Sequence, residues 1–170
     1  MLSTSQPFSF ILFGASGHLA KLKLYPALYI LALKKRVPGQ FSIVGFARSE
    51  YDNESFRALV EESIRKHVGE VNEEVLKDML QHCHYHRGQY DQQEDFVSLK
   101  EHLAEIESGW ENPVRLAYLS IPPSVFAIVS QNLCASGVHE NVPFRCIVEK
   151  PVGHDLESFK QVQKELTDCF

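Results

Sequence analysis

Six mostly apolar residues, Phe8-Ser9-Phe10-Ile11-Leu12-Phe13, run up to Gly14 and have the length and composition of a strand buried on both faces, as in a parallel sheet. Beyond the glycine, Leu19, Leu22, Leu24, Leu28, Leu31 and Leu33 stand among lysines, a helical arrangement with Lys34-Lys35-Arg36 where cations suit a helix C-terminus. Pro38-Gly39 ends that helix, and Pro26 within it predicts a distortion because proline offers no N–H. Phe41–Phe46 reads as a second strand, so residues 8–46 have the order of a βαβ unit with a right-handed crossover. Helical patterning follows over 54–68 and 73–80, an extended segment over 82–87 before Gly88, and a helix over 94–107. A fourth strand is predicted over 115–121, a helix over 124–135 behind Pro122-Pro123, a fifth strand over 144–149 and a last helix over 156–166.

This alternation predicts an α/β fold, a Rossmann-type doubly wound and mostly parallel sheet with helices on both faces. Residues 1–7 are expected to form a loose arm and 8–170 one domain, since no repeat, low-complexity segment or Pro/Gly/Ser-rich linker divides the chain.

Composition narrows the function classes. At 170 residues, 44% hydrophobic and 23% charged, the chain has ordinary globular values. Seventeen Lys and Arg against 22 Asp and Glu give a formal charge of -5, so no general positive field draws it to nucleic acid and any anion site must be local. Phe8–Phe13 is too short for a signal-peptide core or a membrane span, and no membrane partner is expected. Cys83, Cys134, Cys146 and Cys169 form no CxxC pair, which suits reduced thiols and a cytoplasmic location.

The chemistry concentrates where the first strand meets the first helix. Gly14-Ala15-Ser16-Gly17 stands where backbone N–H groups and a helix N-terminus can receive a dinucleotide's diphosphate. Gly14 must turn tightly, Gly17 must let backbone approach a phosphate oxygen, and Ala20 lets helix and strand pack closely. The spacing is GxxGxxA rather than GxGxxG, and an ordinary βα turn could carry two such glycines; the flanking strand and helix favour the phosphate loop. At the end of the second strand, Gly45-Phe46-Ala47-Arg48-Ser49 places an arginine where NAD enzymes carry an acid that holds the ribose 2′-hydroxyl. A guanidinium can bind a 2′-phosphate through two hydrogen bonds and lie flat on adenine, so Arg48 points to NADP, with Lys23 a second candidate cation.

With GASGHLAKLKLYP after the first strand, IVGFARS at the second, GQYD after the third, YLSIPPSVF at the fourth and IVEKPVGHDL at the fifth, the chain resembles the glucose-6-phosphate dehydrogenases from Phe10 to Leu156. The resemblance implies an NADP-binding domain, paired in the family with a larger β+α domain that binds glucose 6-phosphate and forms homo-oligomers. The implied activity is oxidation of glucose 6-phosphate to 6-phosphogluconolactone in the oxidative pentose phosphate pathway, with hydride transfer to NADP. It makes Gly14, Ala15, Ser16, Gly17, His18, Leu19, Ala20 and Lys21 the diphosphate loop, with Lys23 and Arg48 on the 2′-phosphate. Tyr90 and Asp91 would lie near the adenosine and Tyr118 along the coenzyme cleft; Lys150, angled by Pro151, would reach both the nicotinamide side and the sugar.

Two departures matter. The family loop usually reads GASGDLAK; His18 replaces that aspartate, exchanging a good helix cap for an imidazole whose protonation would attract diphosphate. The family's proton-accepting histidine and sugar-phosphate lysines come after the EKP segment, so the chain is expected to be a coenzyme-domain fragment with no catalytic residue of its own and no turnover alone. The alternative is a non-catalytic NADP-binding module or paralogue that senses coenzyme or binds a partner.

His82, His84 and His86 alternate and would share a strand face, a spacing compatible with zinc, but without a partnered carboxylate a solvated edge face is favoured and no metal is expected. His67, His102, His139 and His154 have no recognisable partners. Ser16 lacks the GxSxG turn of a hydrolase.

Overall fold

Alternation along β1 (Phe8–Phe13) sends Phe10 and Leu12 into one apolar layer and Ile11 and Phe13 into the opposite one, so the strand is buried on both sides. A computed structural model describes residues 6–149 and the isolated positions 157, 160, 163, 164 and 167. Lys150, Pro151 and most of the helix predicted over 156–166 therefore lie outside the described residues. At the other end, Gln6 donates to the Asn112 carbonyl at 3.1 Å and the buried Pro7 carbonyl accepts the Val114 N–H at 3.0 Å.

Around β1 the sheet has the order β3-β2-β1-β4-β5 and is parallel throughout, with β2 at Phe41–Ala47, β3 at Cys83–Arg87, β4 at Val114–Leu119 and β5 at Phe144–Val148. The chain walks outward from β1 to β3, then crosses back to β4, so the strand order reverses between β1 and β4. Helices α1 (Tyr25–Leu33), α2 (Asn53–Val68) and α3 (Glu73–Gln81) cover the face holding Phe10 and Leu12. Helices α4 (Gln93–Ile106) and α5 (Phe126–Ala135) cover the other face. The doubly wound α/β reading is thus the observed fold.

The distortion predicted at Pro26 falls one turn upstream. Ala20–Leu24 is a π-helical turn in which the Tyr25 N–H reaches back five residues to the Ala20 carbonyl. Pro26 then lies in the first turn of α1, where its missing N–H costs no helical bond. The helix ends before Pro38-Gly39: Lys35 takes φ +53°, its N–H donates to Ala32 and the Arg36 N–H to Leu31, both at 2.9 Å, closing the last turn without glycine. Asp52 caps α2 by accepting the Ser55 N–H at 2.8 Å, and Asn72 caps α3 through Val75 at 3.1 Å. At the amino ends of the strands, Arg115 is 5% exposed and Glu107 7%; they pair at 2.6 Å, and Ser9 and the Val138 carbonyl use their remaining polar atoms. Such a satisfied buried pair costs most when one partner alone is removed.

Two expectations are corrected. Cys83 and Cys146 are free thiols, both pushed up to about 12 by burial, but Cys134 is disulfide-bonded, so the four cysteines are not all reduced and one support for a cytoplasmic location is lost. His82 does not share the strand face: it ends α3 and stacks on Phe41 at 4.3 Å. His84 and His86 do share a face, yet it is half-buried under α4, not solvated, and His102 of α4 is their partner.

His86 Nδ1 lies 3.2 Å from His102 Nδ1, and its Nε2 lies 2.9 Å from Ser98 Oγ. No group of three metal-ligating side chains occurs among the described residues. Burial holds His84 down to about 4, helped by the charges of His102, Arg57 and His82. Burial also lowers His86 and His102, against opposing contributions from Asp95 and Glu105 respectively. Neutral imidazoles are favoured in the fold, so below the ordinary value of 6.5 the unfolded chain takes up the protons and stability falls as pH drops toward 4. The melting temperature should fall between pH 7 and pH 5, and less steeply in His84→Asn; identical slopes would contradict the assignment.

Candidate functional site

At the carboxyl end of β1 the backbone turns at Gly14 with φ +83°, and a Cβ there would sit 2.0 Å from the Ser120 carbonyl oxygen. The ends of β1 and β4 therefore approach more closely than any side chain permits, and the Ser120 N–H donates to Phe13 at 3.0 Å. On the other flank the Phe46 carbonyl, within β2, accepts the N–H groups of Gly14 at 3.0 Å and Ala15 at 3.4 Å. The turn closes when Gly17 N–H donates to Gly14 at 2.9 Å; a Cβ on Gly17 would stand 3.0 Å from that same oxygen. Tyr25, fully buried, donates its hydroxyl to the Ala15 carbonyl at 2.5 Å. Burial first, then the neighbouring Cys83, Tyr85 and Tyr51, raises its phenol well above the ordinary range, so it remains a donor.

These bonds draw the inner polar groups of the loop into the protein. The N–H groups of Ser16, His18 and Leu19 make no hydrogen bond among the described residues, and they sit at the start of the helix, whose dipole favours an anion. Buried Ala20 lets this turn lie close on the sheet, as its small size predicts.

Two clefts adjoin the loop. A crevice of about 390 Å³ opens at the β1/β4 reversal, lined by Gly17, His18, Leu19, Ile121, Pro122 and Glu149 among others. In open α/β sheets ligands bind at this position. Tyr118 donates its hydroxyl to the Glu149 carboxylate, while its ring packs 5.9 Å from Phe10; burial, then the Glu149 hydrogen bond and charge, pushes the phenol up to about 12. The second cleft, about 450 Å³, lies between the π-helical turn and α2, with His18, Lys21, Lys66 and His67 on its walls. Exposed His18 borders both clefts.

Beyond Phe46, exposed Arg48 lays its guanidinium 5.5 Å above the Tyr90 ring. Tyr90 is held from behind, its carbonyl accepting Asn132 Nδ2 at 2.9 Å, and burial raises its phenol against the pull of Arg48 and the Gly14 N–H. Ser16 and Ser49 meet through their hydroxyls at 2.9 Å, joining the loop to the end of β2. The structure thus gathers Gly14, Ala15, Ser16, Gly17, Arg48 and Tyr90. Lys21 lines the second cleft, Lys23 is exposed on the π-helical turn, and Asp91 is exposed after Tyr90; none of the three is among the partners found for Arg48, whose guanidinium lies over Tyr90. Sequence reasoning missed Tyr25, Ser49, Tyr85 and Ser120. Their partners are backbone carbonyls, another hydroxyl and a close backbone approach, none of which leaves a spacing motif.

The loop depends on Gly14 for both its φ and its clearance. Gly14→Ala should cost about 3 kcal/mol or more in chemical denaturation; a loss below about 1 kcal/mol would contradict the close approach to Ser120.

Comparison with known proteins adds the lineage. Residues 11–170 match the family described as glucose-6-phosphate dehydrogenase, NAD binding domain. Glucose-6-phosphate 1-dehydrogenase of Aspergillus niger is 43% identical over 156 residues, covering 92% of this chain and 30% of the relative. That of Schizosaccharomyces pombe is 38% identical over 170 residues, covering 99% and 34%. A solved glucose-6-phosphate dehydrogenase in complex with its substrate glucose-6-phosphate superposes with a TM-score of 0.89 at 35% identity, covering all of this chain and 36% of that one. The chain spans about a third of the length of the relatives it matches. On this likeness, joined to the glycine loop at the β1/β4 reversal, the chain belongs to the glucose-6-phosphate dehydrogenase family, within its dinucleotide-binding domain.

Proposed function

We propose that this chain is the coenzyme-holding part of a glucose-6-phosphate dehydrogenase and that it binds NADP in preference to NAD. The observation carrying the preference is Arg48, stacked over Tyr90 and exposed beside the loop. Its guanidinium has the charge and the flat face needed to pair with a 2′-phosphate and cover an adenine. The fit of a dinucleotide is supported by a turn that excludes a Cβ at Gly14, by the N–H groups of Ser16, His18 and Leu19, which have no hydrogen bond among the described residues, and by the crevice at the strand reversal.

In this reading the helix start and its N–H groups bind the diphosphate, while Arg48 and the Ser16–Ser49 hydroxyl pair face the adenosine end. Tyr118 orients Glu149 at the wall of the crevice. His18 falls at the diphosphate position on the family resemblance and presents an exposed imidazole there. On the family resemblance Lys21 is carried in the diphosphate loop, Lys23 as a second cation for the 2′-phosphate and Asp91 as an adenosine neighbour. The same holds for Lys150, placed by resemblance near both nicotinamide and sugar. A nicotinamide coenzyme bound here supplies the hydride acceptor. We assign the sugar-phosphate clamp and the proton acceptor for the sugar hydroxyl to the two thirds of the family's length that this chain does not span.

Two outcomes test the reading. Arg48→Ala should weaken NADP binding by about 1.5–3 kcal/mol in calorimetric titration and leave NAD almost unchanged; equal losses for both coenzymes would refute the 2′-phosphate assignment. The 170-residue chain should bind NADP yet produce no measurable NADPH absorbance with saturating glucose 6-phosphate. Substantial NADPH formation would show that the sugar chemistry is already present in it.

A further inference from the structure

Beyond Ala47, the last residue of β2, the β2/β3 ladder ends, and Arg48 continues into a segment without strand pairing. Three successive carbonyls of this stretch nevertheless accept side-chain donors from β3. The Tyr85 hydroxyl lies 2.6 Å from the Ser49 carbonyl and 3.1 Å from that of Ala47. Arg87 Nε lies 3.3 Å from the Arg48 carbonyl, and its Nη2 pairs with Glu50 at 2.9 Å. The Gly88 N–H adds a bond to Ala47 at 3.1 Å.

We propose that Tyr85 and Arg87 are positioning residues for coenzyme selection, clamping the backbone on both sides of Arg48 so that its guanidinium stays over Tyr90 and meets a 2′-phosphate already placed. The inference rests on the proposed NADP role of Arg48. Tyr85 is suited to the work because it is itself immobile: 8% exposed, with its ring 5.1 Å from Phe56 and 5.5 Å edge-on to Tyr51, and its N–H donating to Asn53 Oδ1 at 2.8 Å. Its single proton serves the nearer Ser49 carbonyl, with Ala47 as the weaker second acceptor. Burial, with Tyr51 and Tyr90 nearby, pushes the phenol up to about 12, so the proton is present throughout the neutral range.

Without the clamp, Arg48 must lose the freedom of its own backbone as well as its side chain on binding, a cost that falls only on the ligand it contacts. A coenzyme lacking the 2′-phosphate makes no use of that guanidinium. Loss of the clamp should therefore separate NADP from NAD, whereas a general loosening of the domain would weaken both.

The test is calorimetric titration of the 170-residue chain with NADP, NAD and adenosine 2′,5′-bisphosphate, with melting temperature followed in parallel. Tyr85→Phe keeps the ring and removes the donor; it should weaken NADP and the bisphosphate about 5- to 20-fold and change NAD less than 2-fold. Arg87→Ala should act in the same direction, about 2- to 4-fold, and decides the matter if Tyr85→Phe does not fold. Arg48→Ala is measured beside them. If it weakens NADP while both β3 variants leave NADP unchanged, or lower NADP and NAD alike, the positioning role is wrong although the NADP site stands. If Arg48→Ala leaves NADP unchanged, the NADP site falls and the clamp with it.

Discussion

Everything at the carboxyl edge of the sheet depends on the contact between Gly14 and the backbone of Ser120. A Cβ in that gap would lie 2.0 Å from a carbonyl oxygen, so β1 and β4 can close on each other only through glycine. The closeness sets where the first helix begins, and at that helix start the N–H groups of Ser16, His18 and Leu19 have no hydrogen bond among the described residues. The strand order reverses at the same place, so the crevice and the polar helix end arise from one constraint.

Phe46 carries that constraint to the specificity end. Its carbonyl holds Gly14 and Ala15, and its ring packs 5.0 Å from Phe13, 5.1 Å from Phe96 and 6.0 Å from Tyr90. Tyr90 then supports the guanidinium of Arg48, two residues farther along the same chain as Phe46. Loop and arginine are thus held by one aromatic cluster rather than by independent contacts. Tyrosine hydroxyls do the finer fixing, Tyr25 on the Ala15 carbonyl and Tyr85 on those of Ala47 and Ser49.

Most of the fold was legible because each strand is a short apolar run between turn residues and each helix repeats its apolar positions every three or four residues. The edges that moved did so for local reasons. The helix distortion lies in the π turn just ahead of Pro26, and Lys35 adopted a left-handed backbone that residue preference assigns to glycine, ending the helix before Pro38-Gly39. Of the site, Gly14, Gly17 and Arg48 were legible through spacing, since each meets a requirement of backbone geometry or charge at a fixed place in a βα unit. Tyr25 and Tyr85 were not, because an aromatic residue on an apolar face reads as core whether or not its hydroxyl has a task. The pairing of His86 with His102 was hidden for another reason: it joins a strand to a helix sixteen residues on, and neither element's period reports the other.

The central claim is that one surface receives both the diphosphate and the 2′-phosphate of NADP, and phosphorus NMR of the coenzyme bound to the chain tests it most directly. A free phosphate monoester loses its second proton near pH 6, about the value expected for the unbound 2′-phosphate. On binding, the diphosphate resonances should shift and the 2′-phosphate should titrate at lower pH, because the Arg48 guanidinium favours its dianion. A 2′-phosphate that titrates in the complex as it does free in solution would contradict the account.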